Sequence, residues 1–439
     1  MNKLFFPLLV LLFCSTSAPA QKIQFVEYEL PNGLKVFLHE DHSTPIVAVT
    51  VMYHVGSKNE KPQRTGFAHF FEHLLFEGTE NIKRGEFDSY IKNAGGFANA
   101  NTTFDRTFYY EKLPSHQLAL GLWLESERML HARVDKTGVE TQRQVVKEER
   151  RSRYDNQPYG RLLEEAVKRI FSVHPYKYTP IGSLEDINAA TEQDFVDFYR
   201  EFYRPDNAIL SIAGDIDIEQ TRKLVDLYFR DIPRGKGEIY RPKIVEPRIA
   251  GELRDTVYDN VQLPAVLFGY QTPARGTPDF YPMKMLTMLL SKGGSSRLNT
   301  RLVDEQQKAT EVGAIAFALE DPAPCVLYSI ASKNVDGREL ETAMDAVISS
   351  VQQELISEKE FQKLQNQVEN DLISANNNVA GIAENIANYE MFYGDAHLIN
   401  NELNRFRQVT REDILRVAKK YLSSDARIVL YWLPKGKQP

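Results

Sequence analysis

The chain has 439 residues, of which 42% are hydrophobic and 26% charged, and its formal net charge is −7. That length exceeds one ordinary core and predicts two or more globular domains, with no polar low-complexity tract to suggest long disorder. An acidic balance without a basic stripe argues against nucleic acid as a partner.

Residues 1–20 differ in kind from the rest. Lys3 supplies a short positive region, Leu4 to Phe13 is apolar but too short to span a bilayer, and Ala18-Pro19-Ala20 offers small residues for cleavage before Gln21. That pattern predicts a secretory signal peptide. Lipidation of Cys14 is disfavoured by the bulky Phe13 before it. Cleavage leaves Cys325 alone, so no internal disulfide is expected. No later apolar segment approaches transmembrane length, so no stable membrane insertion is expected. The expected product is a soluble protein secreted across an inner membrane into the periplasm.

From Gln24 to Leu38 alternating apolar residues flank Asn32-Gly33, which reads as a hairpin, and Ile46–Val55 reads as a central strand. After the polar loop Lys58–Thr65 comes a helix running from Gly66 to Glu77. On it His69 and His73 stand one turn apart on one face, with Glu72 beside them and Phe67, Phe70, Phe71, Leu74 and Leu75 around them. Histidine pairs at this spacing are commonly ordinary polar residues. Three ionisable groups in so apolar a segment are costly to bury without a partner, which favours a metal. Two imidazoles so placed can ligate zinc, and a carboxylate between them can act as base on water. The order His-x-x-Glu-His is the inverzincin signature.

A helix near Arg84–Asn93 leads into the stretch Gly95-Gly96-Phe97-Ala98-Asn99-Ala100-Asn101 and a strand near Arg106–Glu111. Helices are predicted near Ser115–Ala132, Lys136–Arg153, Arg161–Phe171 and Thr191–Phe202, then a strand at Ala208–Ala213. The closing pattern of capped helix, Tyr, polar turn and β-branched strand appears at Thr191–Ala213 and again at Thr410–Leu430. Two homologous α+β domains follow, each a mostly antiparallel sheet covered by helices. The expected boundaries are 21–235 and 249–439, joined by a linker at 236–248. In the second, Val261–Tyr270 and Val326–Ser332 are expected strands, and helices over Glu358–Asn376 and Ala380–Phe392 are expected to cover their own sheet.

A zinc peptidase site needs a third protein ligand and an open position. The helix Val139–Arg151 is rich in carboxylates, and by composition alone it reads as a solvated face. The chain as a whole, from about Phe25 to Trp432, resembles the pitrilysin/insulinase family of metallopeptidases, in its half-length branch similar to the mitochondrial processing peptidase. The resemblance is carried by His69-Phe70-Phe71-Glu72-His73 and the Val145-Val146-Lys147-Glu148-Glu149 context, supported by Phe87, Gly95-Gly96, Asn99-Ala100, Asp105, Tyr109, His174-Pro175-Tyr176, Gly182 and Gly214-Asp215. It implies one zinc ion per chain held by His69, His73 and Glu149, with Glu148 the neighbour that an alignment slip would choose. It implies Glu72 as the catalytic base. It also implies that a peptide substrate docks as an added strand along Gly96, Phe97, Asn99, Ala100 and Asn101.

Two departures from the family's pattern matter. Where the family has a further Glu before the third ligand, this chain has Gln142, a candidate supporting residue behind the ligands. Where single-chain relatives carry an Arg and a Tyr that hold the substrate carbonyl, this chain has Val303 and Thr310, with Arg297 and Arg301 out of register. That pattern resembles the zinc-bearing subunit of a heterodimer whose homologous, zinc-free partner carries the Arg/Tyr pair. The alternatives are a non-catalytic assembly member of the same fold, or a metal-binding module without hydrolysis. Retention of all the ligand positions argues against the first, and Glu72, which would have no task, against the second.

Overall fold

The computed structural model describes residues 22–436. The signal-peptide expectation and Cys14 fall outside the described residues. The first sheet contains β1 (Val26–Glu29), β2 (Lys35–Glu40), β3 (Ile46–Tyr53), β4 (Phe97–Thr102), β5 (Thr107–Pro114) and β6 (Ala208–Gly214), in the order β1-β2-β6-β3-β5-β4. The second contains β7 (Gly251–Asp259), β8 (Ala265–Thr272), β9 (Ala309–Ala316), β10 (Ala323–Ala331) and β11 (Ala426–Pro434), in the order β7-β11-β8-β10-β9.

The two orders are the same pattern. In each sheet the last strand inserts between earlier ones and pairs in parallel with one of them, β6 with β2 and β11 with β7, while every other pairing is antiparallel. The repeated capped helices are Glu192–Phe202 and Arg411–Tyr421. Each opens with a reciprocal capping box, Thr191 with Asp194 and Thr410 with Asp413. The fold is α+β, two homologous domains of helix-covered, mostly antiparallel sheet.

The helices over Glu358–Asn376 and Ala380–Phe392 form as Glu358–Ala375 and Val379–Tyr393, but the second of them does not cover its own sheet. Ile382, Ala383, Ile386 and Ala387 pack on Phe37, Ala48, Met52 and Phe108 of the first sheet. The reason lies in β3, whose odd positions (Val47, Val49, Val51) serve one core and whose even positions Ala48 and Met52 are equally buried on the other face. A strand buried on both faces needs two covers. The arrangement is mutual: the Leu162–Ile170 helix of the first domain packs on Ala265, Leu267, Val326 and Trp432 of the second sheet. Each domain thus lends the other a helix.

A polar cluster crosses the same boundary. The Lys58 side chain, only 7% exposed, lies 3.3 Å from Asp105 and 3.2 Å from Asp321, and also pairs with Glu320. His54 Nε2 is 2.6 Å from Glu320 Oε1, and the Glu320 amide donates to Asp105 at 2.9 Å. The segment read as a polar loop therefore begins with a buried ionic contact.

Candidate metal centre

The histidine helix spans Phe67–Leu74, shorter than the predicted run, and starts at Gly66 with φ of 90°. Glycine has no side chain with which to cap the helix. The buried Glu60 does so from the preceding loop, its carboxylate accepting from the amides of Gly66 and Ala68 at 2.9 Å each. Burial pushes the Glu60 carboxyl up to about 8, against the pull of those amides. Gly182 packs so tightly on this turn that a Cβ there would lie 2.4 Å from the Gly66 Cα. That contact brings Pro180 and Ile181 to the rim of the cleft above the helix.

Across from the histidines runs the helix Lys136–Arg150, followed by a wider π-helical turn, Arg151–Asp155. It presents Glu149 to them. The two Nε2 atoms are 3.3 Å apart, and Glu149 Oε2 is 3.5 Å from that of His69 and 3.1 Å from that of His73. Zinc bonds of about 2.0–2.1 Å place tetrahedral ligand atoms about 3.3 Å from one another, so this triangle suits the ion. Glu149 Oε2 is buried without a hydrogen-bond donor, as an atom reserved for a cation would be. The adjacent His73 and His69 hold the Glu149 carboxyl below its ordinary range against burial. Burial, reinforced by His73, lowers His69 to about 4, which leaves a neutral imidazole with a free lone pair. Among the described residues this is the one cluster of at least three such side chains with metal-ligand spacing.

Sequence reasoning left Glu148 and Glu149 to be separated by counting, and the fold separates them by direction. Glu148 is 71% exposed and faces Arg151. Arg153, one turn beyond Glu149, takes the other carboxylate oxygen at 2.6 Å. This support was missed, although i,i+4 spacing on a helix signals it.

Glu72 lies between the histidines on the side of β4, the outermost strand of the first sheet, which has no further strand on its free edge among the described residues. Its Oε2 accepts a hydrogen bond of 2.6 Å from Thr102 Oγ1, a residue the sequence reading passed over. Burial raises the Glu72 carboxyl above its ordinary range, and the Thr102 bond opposes the rise. An open cleft of about 830 Å³ joins these groups to Asn99, Ala100 and Asn101. Gly96 and Phe97 lie farther along the same edge, outside the cleft. The room beside Gly96 is filled by Leu113, and Phe97, 50% exposed, lies under Lys112.

Gln142 does not touch the ligands. It bonds to Glu77, one turn past His73, and Glu77 also pairs with Arg84. In the second domain Arg297 is consumed by Glu360 and Ser350, and Arg301 pairs with Glu305 at the surface. Val303 packs on the second core, and Thr310 is exposed at the start of β9. The helix that follows β8, Phe280–Ser291, contains no histidine, and Met283, Met285 and Met288 are buried on it.

Residues 35–181 match the family model described as Insulinase (Peptidase family M16), and residues 189–368 match that of the Peptidase M16 inactive domain. The chain is 31% identical over 430 residues to the zinc protease PqqE of Helicobacter pylori, covering 97% of both chains. It is 23% identical to a probable mitochondrial-processing peptidase subunit beta of Schizosaccharomyces pombe, covering 95% of this chain and 92% of the other. Among solved structures, a protease from Helicobacter pylori superposes with a TM-score of 0.90 at 30% identity, over 94% of this chain and 100% of that one.

Proposed function

Because the chain belongs to the insulinase family, peptidase family M16, we propose that it is a zinc-dependent endopeptidase hydrolysing peptides or unfolded segments. The observation that carries this reading is the convergence of His69, His73 and Glu149 beside Glu72, under the free edge of β4. The description of residues 189–368 as an inactive domain fits a second sheet with no counterpart of the histidines, so the chemistry belongs to the first.

His69 Nε2, His73 Nε2 and Glu149 Oε2 would hold the zinc. A zinc ion held there would supply Lewis acidity toward a scissile carbonyl and toward water. The chain's own residues do the rest. β4 offers its unpaired amides and carbonyls to an extended backbone, which gives affinity with little demand on sequence. Glu72 takes the proton of the attacking water at Oε1, the oxygen not engaged by Thr102, and returns it to the leaving amine nitrogen. Arg153 keeps Glu149 turned so that Oε2 faces the imidazoles.

The active unit in this reading is a heterodimer with a homologous, zinc-free chain whose Arg and Tyr hold the substrate carbonyl. The support is negative space: Val303 and Thr310 cannot perform that task, and Arg297 and Arg301 are already paired. We place the protein in the periplasm on the pattern of residues 1–20. No helix among the described residues is long and apolar enough to cross a membrane.

Metal analysis and peptide hydrolysis by the wild type and Glu72→Gln test the centre. One zinc per chain is expected in both, with hydrolysis reduced roughly 10²–10⁴-fold in the variant. Undiminished hydrolysis would refute the assigned base, and absence of zinc from both would favour the assembly role. Full peptidase activity from a purified monomer or homodimer would refute the heterodimer.

A further inference from the structure

Thr102 stands where three features meet: the end of the docking strand β4, the carboxylate of Glu72, and the hairpin that turns into β5. Its Oγ1 is 2.6 Å from Glu72 Oε2, and it is the one hydrogen-bond partner of that carboxylate among the described residues. Glutamate has three side-chain torsions, and without a partner its carboxylate would sample several rotamers over the cleft. Threonine is stiff at χ1, so a hydroxyl delivered by a paired strand is a fixed donor.

The hairpin itself is not free to move. Thr102 pairs with Thr107 across it. Arg106 reaches back to Asn101 Oδ1 at 2.8 Å and out to Glu384 at 2.5 Å, on the helix lent by the second domain. Asp105, at the tip, accepts from the Glu320 amide at 2.9 Å and from Tyr176 at 2.6 Å. The second domain therefore grips the turn that carries Thr102.

Resting on the peptidase reading above, we propose that Thr102 is a positioning residue for Glu72, holding Oε2 so that Oε1 is presented to the reacting water, and that the second domain secures it through the β4–β5 hairpin. Thr102 acts on the turnover step through the carboxylate. It does not hold metal, and its contribution to substrate affinity is only that of its strand.

The test compares wild type, Thr102→Val, which keeps the shape and loses the donor, and Thr102→Ser, which keeps the donor. Zinc content and melting temperature should be shared by all three. Thr102→Val should lower kcat roughly 10- to 100-fold, the equivalent of one hydrogen bond to a charged group, with KM changed less than about twofold. Thr102→Ser should recover most of the loss. An unchanged kcat in Thr102→Val, a serine variant as impaired as the valine one, or a loss confined to KM overturns the proposal. Crystal structures of the variants test the positioning role without reference to turnover. The Glu72 carboxylate should leave its position in Thr102→Val and keep it in Thr102→Ser, and an unmoved carboxylate in the valine variant overturns the proposal. A wild type that hydrolyses nothing even when combined with its homologous partner chain refutes the peptidase reading, while the crystallographic comparison still decides whether Thr102 positions the carboxylate.

Discussion

Replacing Glu320 by Gln should weaken the contact between the domains in a pH-dependent way. Burial alone would raise the Glu320 carboxyl, but His54 and Lys58 outweigh it and hold it down at about 2, against an ordinary value of 4.5. A depressed folded pKa means stability that is fully present above the unfolded value and lost as pH falls through the folded one. The difference of roughly 2.5 between the two values, at about 1.4 kcal/mol per pH unit, corresponds to about 3 kcal/mol at pH 7 and about 1.4 kcal/mol at pH 3. The side chain is 23% exposed, which makes these upper figures. Glu320→Gln removes the charge but leaves Lys58 with Asp105 and Asp321, so no buried cation is orphaned. The assay is urea denaturation of both proteins at pH 7 and pH 3. A gap of about 2–3 kcal/mol at pH 7 should shrink by half or more at pH 3. Equal midpoints at pH 7, or a gap that does not narrow, would refute the reasoning.

Glu149→Gln should cost the protein its zinc, measured by metal analysis after dialysis, while Glu148→Gln, changing a group 71% exposed, should keep it. Gly182→Ala drives a Cβ to 2.4 Å from Gly66 Cα and strains a φ of +68°, so it should lower stability by about 1–3 kcal/mol and disturb the cleft rim. Calorimetry and zinc affinity would register both effects. Arg128 is fully buried, 3.0 Å from Glu125 and 3.5 Å from Glu111, with the rings of Phe76, Phe87 and Tyr109 about its guanidinium. Arg128→Met should cost about 3–5 kcal/mol in chemical denaturation, because it strands two carboxyls in the core.

Most of the candidate centre was legible because it is local. His69, Glu72 and His73 share one helix turn, so spacing alone assembles them. Glu149 required the family's counting, since nothing in a carboxylate-rich helix says which acid faces inward, and the fold answers by exposing Glu148. Thr102 and Glu60 were not legible. Each acts on the histidine helix through a contact that local sequence periodicity does not report, one from a strand and one from a loop. The repeat of helix and strand was visible in Thr191–Ala213 and Thr410–Leu430, yet the strand pairings it implied could not reveal the exchange of helices. Arg161–Phe171 and Ala380–Phe392 were legible as helices, but the pattern along one helix does not say what its buried face packs against. The burial of Lys58 was not legible in its polar loop, since its partners Glu320 and Asp321 lie in the other domain and Asp105 lies far along the chain.

The exchanged helices also constrain how the chain reaches this state. Phe37, Ala48 and Met52 cannot be covered until Val379–Tyr393 has been made, so the first sheet must wait for the far end of the polypeptide. Closing so long a loop is slow, and an apolar sheet face stands open meanwhile. A growing chain therefore has a late commitment point, and the first sheet should remain a client for chaperones until synthesis is nearly finished. For a protein proposed to cross a membrane unfolded, such delay is an asset. Scission of the chain between β6 and β7 should yield two fragments that fold together or not at all.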